Sequence, residues 1–138
     1  MNVWLCDLEP ARIVQAPRFQ EISCLPYEVS LVLYIRGKTL VSLKQSDLIG
    51  DSSEVRLPNV DVIQEVCRSL NSRQVMFFHN HPYVAGRCSA SPSGLDIATT
   101  KRYRRWLGDI GIELIDHIIL SPEGHYSFLQ KGKVFGLN

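Results

Sequence analysis

The 138-residue sequence predicts an α/β or α+β domain with a central mixed sheet flanked by helices. Two observations carry this prediction. Runs of β-branched and aromatic residues, bounded by turn residues, alternate with two segments whose apolar residues recur at helical spacing. In addition, the chain has the length of one ordinary domain, and 45% of its residues are hydrophobic. We therefore expect one domain over residues 1–138, without internal repeats or linkers.

The amino-terminal half predicts a short strand, a hairpin and a helix. Residues 3–5 suit the short strand, and prolines interrupt the following segment, to which we assign no element. Residues 29–36 and 39–43 have strand composition, and Gly37 opens the turn between them, so we expect a β-hairpin. Residues 61–70 carry apolar positions at helical spacing and predict a short amphipathic helix.

The carboxyl-terminal half predicts a strand, a longer helix and a strand pair. Residues 75–81 form the strand, which Pro82 ends because proline lacks the N–H for the next ladder bond. The helix begins near Ser93, and residues 113–121 and 125–129 form the strand pair. The residues expected on the apolar face of the helix are Ile97, Tyr103, Trp106, Leu107 and Ile110.

Net charge, apolar segments and cysteine spacing limit the kinds of partner and cofactor that the protein can have. Fifteen Lys and Arg residues against 14 Asp and Glu give a net charge of +1, so no global charge attracts nucleic acid or an anionic membrane. No segment has the pattern of a signal peptide or a membrane-spanning helix, and the four cysteines lie too far apart for a zinc knuckle or a redox pair. We expect a cytoplasmic protein with reduced thiols and no membrane contact.

Two histidines near the end of a predicted strand are candidates for metal binding. Side chains alternate along a strand, so His79 and His81 share one side while Asn80 points away. Paired histidines of this kind can also pack in a core or face solvent. A catalytic zinc site needs a third protein ligand and keeps a fourth position open for water.

A serine and an aspartate downstream offer two interpretations. Ser93 and Asp96 have the spacing of a capping box at a helix start, and Asp96 is also a candidate third ligand. Both can hold at once, and the Ser93 hydroxyl could stabilise an oxyanion. A general base would complete the site. Glu28 lies at the edge of a strand expected beside the histidine strand, although the residues alone barely favour it over Glu21 or Glu54.

Taken together, Glu28, the segment His79-Asn80-His81-Pro82 and Ser93-x-x-Asp96 resemble the signature of the JAB/MPN (JAMM) metalloproteases, a distant Glu followed by His-x-His-Pro and Ser-x-x-Asp. The segments FFHNHP, PSGLDIATTKR, GIELIDHIIL and YSFLQKG are similar to the RadC-like JAB branch. The similarity extends from about residue 28 to residue 132, roughly three-quarters of the chain.

This resemblance implies a JAB/MPN fold, similar to that of cytidine deaminases, with a curved mixed sheet and one zinc ion per chain. By position it implies that His79, His81 and Asp96 bind the zinc, that Glu28 activates the water and that Ser93 stabilises the oxyanion. JAMM proteins hydrolyse peptide or isopeptide bonds, commonly after the carboxyl terminus of ubiquitin or a ubiquitin-like protein. Stand-alone bacterial members occur beside ubiquitin-like conjugation genes and in antiphage operons. We therefore expect a metallopeptidase or isopeptidase with such a substrate.

The sequence departs from the family in three places, and one is the region around Asp61 and Val62, which replaces the Arg-Glu pair that usually opens the helix predicted there. The loop at residues 83–92 is longer than in typical RadC-like sequences and is a candidate wall or lid of a substrate groove. Full-length RadC-like proteins also carry an amino-terminal helix-hairpin-helix region, for which the 27 residues before Glu28 leave too little room. We therefore expect a free-standing peptidase. The alternative is a RadC-like module that associates with DNA and has no protease activity.

Three further features have ordinary structural interpretations. His117 lies in a strand that we expect to be buried, where a structural role with Asp116 is favoured over metal binding. Cys88 is favoured as a loop residue rather than a ligand. A basic stripe on the longer helix could bind phosphates but is typical of a solvated face, so we do not expect nucleic acid as a partner. The stripe consists of Lys101, Arg102, Arg104 and Arg105.

Overall fold

The computed structural model describes residues 3–4, 10–45, 57–82 and 89–132. Both strands and helices occur along these ranges, in agreement with the predicted fold class. The strands are β1 Val3–Trp4, β2 Ser30–Arg36, β3 Thr39–Gln45, β4 Gln74–Asn80, β5 Glu113–Ser121 and β6 Gly124–Ser127. The helices are α1 Pro10–Ile13, α2 Pro17–Ser23, α3 Val60–Leu70, α4 Gly94–Asp109 and α5 Phe128–Lys131.

The strands form one mixed sheet in the order β1-β3-β2-β4-β5-β6, which is not closed into a barrel. Strand β2 pairs antiparallel with both β3 and β4, whereas β4 and β5 are parallel neighbours. A parallel pair needs a crossover connection, and α4 lies in the segment that joins β4 to β5. The carboxyl end of β4 therefore lies beside the start of β2, and the chain after β4 leads into the start of α4.

Both faces of the sheet are covered, because successive side chains of its central strands point to opposite sides. On one face, Leu31 and Leu33 of β2 belong to a buried cluster with Phe19 of α2, and Phe19 stacks on Phe78 with ring centroids 4.6 Å apart. On the other face, Val32 belongs to a cluster that includes residues of α3 and α4. The buried Ser30 and His79 are direct cross-strand partners.

The predicted hairpin, the helix at residues 61–70, the strand that carries the histidines and the helix that follows Ser93 are confirmed. The predicted strand at residues 3–5 is present as β1, although Leu5 lies outside the described residues. Two helices, α1 and α2, occupy the segment to which we assigned no element. Among the described residues, no helix combines the length and apolar character required to cross a membrane.

The predicted strand pair at residues 113–121 and 125–129 is confirmed as β5 and β6, but two details predicted for the carboxyl-terminal half are wrong. Trp106 and Ile110 are 45% and 39% exposed, because α4 contributes mainly Leu107 to the core and ends at Asp109, before Ile110. The last predicted strand ends at Ser127, where the Ser127 hydroxyl accepts the backbone N–H of Gln130 and starts helix α5. The buried Asp116 carboxylate supports the start of α5 by accepting hydrogen bonds from the Ser127 hydroxyl and from the backbone N–H of Leu129.

Asn80 fixes the chain segment that precedes β2. This side chain is fully buried, accepts the backbone N–H of Val29 at 2.7 Å and donates to the carbonyl of Tyr27 at 2.9 Å. Glu28 lies between these two anchored residues and is 2% exposed. The residue between the two histidines therefore holds the segment that carries the candidate base.

We expect Asn80→Ala to lower the free energy of unfolding by about 1–3 kcal/mol, because it leaves a buried N–H and a carbonyl without a partner. Urea denaturation followed by circular dichroism measures this change. Asn59→Ala is the matched control, since Asn59 is exposed and its side chain makes no capping hydrogen bond, and we expect a change within about 0.5 kcal/mol. Equal effects of the two substitutions would contradict the role given to Asn80.

Candidate metal centre

The candidate site lies where β4 ends, β2 begins and α4 begins. His79 is on β4, His81 is one residue past its end, Glu28 precedes β2, and Asp96 is in the first turn of α4. Glu28, His79 and Asp96 are almost completely buried, whereas the His81 side chain is 18% exposed. Of these four side chains His81 is thus the most accessible, and Ser93 at the edge of the site is also exposed.

The two imidazole rings point at each other and at one carboxylate. The Nε2 atoms of His79 and His81 are 3.3 Å apart. The Oδ1 atom of Asp96 lies 3.5 Å from Nε2 of His79, and its Oδ2 atom lies 3.1 Å from Nε2 of His81. Side chains at the end of β4 and in the first turn of α4 therefore direct potential ligand atoms into one small volume.

A second carboxylate approaches the same histidines. Glu28, His79 and His81 each offer a ligand atom within 4.8 Å of the others, and such a group could hold a metal ion. The histidine pair thus lies close to both Glu28 and Asp96. All the side chains proposed from the sequence as zinc ligands or base meet at this point.

Asp96 has two structural roles at once. Its Oδ2 atom accepts the backbone N–H of Ser93 at 2.9 Å, and its own backbone N–H donates to Oγ of Ser93 at 3.0 Å, which completes a capping box. The start of a helix also favours negative charge through the helix dipole. The capping box and the approach to the histidines coexist, so Ser93 holds the Asp96 carboxylate in place. The Ser93 residue itself is exposed at the edge of the site.

The pKa values of the three groups move in different directions. Burial raises the pKa of Asp96, but the neighbouring His79 and His81 outweigh burial and hold that pKa well below its usual range. Burial lowers the pKa of His79, and this effect exceeds the opposing influence of Asp96. Burial also lowers the pKa of His81, but hydrogen bonds to Asp96 and to the Ser89 carbonyl leave it raised. The ionised Asp96 carboxylate therefore faces the His79 imidazole, whose burial disfavours protonation.

His117 contacts the site from behind. Its Nε2 atom lies 2.7 Å from Nδ1 of His79, and its Nδ1 atom lies 2.7 Å from the hydroxyl of Thr100. Burial lowers the pKa of His117 well below its usual value. The expected partnership with Asp116 involves the backbone N–H of His117, whereas the ring bonds to His79 and Thr100. The sequence analysis missed Thr100, although it lies four residues after Asp96 on the same side of α4.

Other candidates lie elsewhere or outside the described residues. Cys88 and residues 83–88 of the long loop are outside the described ranges, as is Glu54. Glu21 is exposed on α2 and does not belong to the group formed by Glu28 and the two histidines. The basic stripe is solvent-exposed, as expected: it consists of Lys101, Arg102, Arg104 and Arg105.

Comparison with known proteins identifies the family. The model of the RadC-like JAB domain matches residues 9–133. A UPF0758 protein of Streptococcus pyogenes serotype M49 is 28% identical over 105 residues, which are 76% of this chain and 44% of that protein. A UPF0758 protein of Streptococcus uberis is 27% identical over the same shares of both chains. The chain therefore spans less than half the length of these curated relatives.

The family match covers β2, β4 and α4, the elements that position Glu28, the two histidines and Asp96. It extends further toward the amino terminus than the resemblance recognised from motifs, since it includes α1 and α2. The mixed sheet and the convergent His and carboxylate side chains agree with this assignment. The chain belongs to the RadC-like JAB family.

Proposed function

We propose that the protein is a zinc-dependent metallopeptidase or isopeptidase of the JAMM type. The observation that carries this proposal is the convergence of His79, His81 and Asp96, whose Nε2 and Oδ atoms approach each other to 3.1–3.5 Å. Two imidazole nitrogens and one carboxylate match the ligand set of catalytic zinc sites, which leave one position open.

The chemistry of the donor set suits a bound cation. Nδ1 of His81 lies 3.1 Å from the carbonyl of Ser89, and a carbonyl only accepts, so this nitrogen carries the proton. Burial lowers the pKa of His81, but the Asp96 carboxylate opposite Nε2 favours a second proton on that nitrogen, and a bound metal ion would replace this proton. Electron pairs and a negative charge that face one another repel unless a positive charge lies between them. A zinc ion held by His79, His81 and Asp96 would supply that charge.

When bound, zinc supplies Lewis acidity that polarises the scissile carbonyl and lowers the pKa of a water molecule. The protein groups do the rest. Glu28, held by the Asn80 hydrogen bonds on either side of it, accepts the proton of the attacking water and passes it to the leaving amine. The Ser93 hydroxyl accepts the backbone N–H of Asp96 and keeps its own proton, so it is the candidate donor to the developing oxyanion.

The proposed substrate is the carboxyl-terminal tail of ubiquitin or a ubiquitin-like protein, cut at a peptide or isopeptide bond. Support for this class comes from the JAMM signature. The partial exposure of His81 provides the open side from which an extended chain would enter. We also propose a cytoplasmic location, where such conjugates form.

Zinc binding is the first test of this function. Protein purified without chelator should contain about one zinc per chain by plasma mass spectrometry. His79→Ala removes one of the three proposed ligands, and the zinc content should fall about tenfold or more. His125→Ala is the matched control. His125 lies on β6 and does not belong to the group of candidate ligands, so this variant should keep its zinc. Wild-type protein that takes up no zinc even after reconstitution would refute the proposed function.

Hydrolysis should depend on Glu28 separately from zinc. Glu28→Gln keeps the size and polarity of the side chain but removes the proton acceptor, so the rate constant should fall by about 10²- to 10⁴-fold while zinc content is unchanged. Release of a fluorophore from the tail of a ubiquitin-like protein measures this rate.

The control variant for this experiment is Glu21→Gln, which changes an exposed glutamate of α2 and should leave the rate unaltered. Full activity of Glu28→Gln would exclude Glu28 as the base. Loss of zinc from Glu28→Gln would instead show that Glu28 is a metal ligand, a role its position within 4.8 Å of both histidines also permits.

A further inference from the structure

We propose that Thr100 and His117 are positioning residues that determine which ring nitrogen of His79 carries the proton, and so aim the electron pair of its Nε2 at the metal. The inference rests on the proposed function, since it assigns these residues a role toward the zinc ligand. It is carried by one continuous chain of buried hydrogen bonds from α4 through β5 to β4.

The chain of hydrogen bonds begins at the backbone carbonyl of Asp96, which can only accept a hydrogen bond. The Thr100 hydroxyl lies 2.7 Å from the backbone carbonyl of Asp96, so its proton is directed at that carbonyl. The same hydroxyl oxygen lies 2.7 Å from Nδ1 of His117. Because the only proton of the hydroxyl is already used, the oxygen accepts here, and Nδ1 of His117 is the donor.

The same reasoning gives the direction of the hydrogen bond between His117 and His79. A neutral imidazole has one N–H, and in His117 it is on Nδ1, so Nε2 of His117 can only accept. This atom lies 2.7 Å from Nδ1 of His79, which must therefore donate. The Nε2 atom of His79 is left with its electron pair, directed at Nε2 of His81 and at Asp96. The other ring nitrogen of a metal-bound histidine commonly donates to a fixed acceptor in this way.

Packing fixes the orientation of the His117 ring. The residue is fully buried, and its ring stacks on Phe128 with centroids 5.2 Å apart and an interplanar angle of 18°. Phe77 contacts the same ring edge-to-face at 5.7 Å. Thr100 is also fully buried and lies one helical turn after Asp96. The same turn of α4 thus supplies both a proposed ligand and the end of the hydrogen-bond chain that orients another.

Threonine 100 offers a matched pair of variants. Thr100→Val has the same shape without the hydroxyl, so the proton positions of both histidines are no longer specified, whereas Thr100→Ser keeps the hydroxyl. We expect Thr100→Val to bind zinc about 10- to 100-fold more weakly in competition with a chelator, and Thr100→Ser to stay near the wild type. Urea denaturation of both variants shows whether the loss follows the fold or the hydroxyl.

A second pair tests the next link. In His117→Gln the side-chain oxygen can still accept the proton from Nδ1 of His79, whereas His117→Phe keeps the aromatic stacking but offers no acceptor. We expect His117→Gln to retain most of the zinc affinity. We expect His117→Phe to bind zinc about 10- to 100-fold more weakly, as Thr100→Val does. Equal affinities within either folded pair would overturn the proposal.

The proton positions can be read directly without zinc or activity. Two-bond ¹H–¹⁵N correlation spectra of metal-free wild-type protein, recorded at about pH 8 where ordinary histidines are neutral, distinguish the two neutral forms of each ring. We expect the proton on Nδ1 in both His79 and His117. A proton on Nε2 of His79 would overturn the proposal, whether or not the variants fold. Absence of zinc binding by the wild type refutes the proposed function instead, and the spectra still decide the direction of the chain.

Discussion

The closeness of two imidazole nitrogens is the constraint on which the proposed site depends. Nε2 of His79 and Nε2 of His81 lie 3.3 Å apart, and the Asp96 carboxylate lies beside both. Groups of this kind are stable together only if a proton or a metal ion provides positive charge between them. Burial disfavours a proton on His79, whereas Asp96 favours one on His81, and a metal ion bound by all three side chains would replace that proton.

The sheet order creates this constraint. Strand β4 lies between an antiparallel neighbour, β2, and a parallel neighbour, β5, so its carboxyl end is flanked by the start of one strand and the end of the other. The segment before β2 brings Glu28, and β5 brings His117 to the other side of His79. The crossover through α4 adds Asp96 at a helix start. Each of the four side chains therefore comes from a different part of the chain, and none can move without disturbing the sheet or its covering helix.

Sequence patterns predicted most elements and the residues of the candidate site, because alternation, capping spacing and the family signature are local properties. They could not predict the contact between His117 and His79. That contact requires β4 and β5 to be parallel neighbours with Phe77 opposite His117, and strand order is a property of the whole fold. Local rules also failed between residues 10 and 23. Pro10 and Pro17 were taken as interruptions, yet each is the first residue of a helix, a position where the missing N–H costs little.

X-ray absorption at the zinc edge of the zinc-loaded protein shows whether the two histidines bind the ion, because it counts the ligand atoms around the zinc. We expect two imidazole nitrogens and oxygen neighbours at about 2.0–2.2 Å, in a four-coordinate arrangement. Scattering from the two imidazoles should be halved in His81→Ala protein that is forced to load by excess zinc. A spectrum of oxygen ligands alone, without imidazole scattering, would contradict the account.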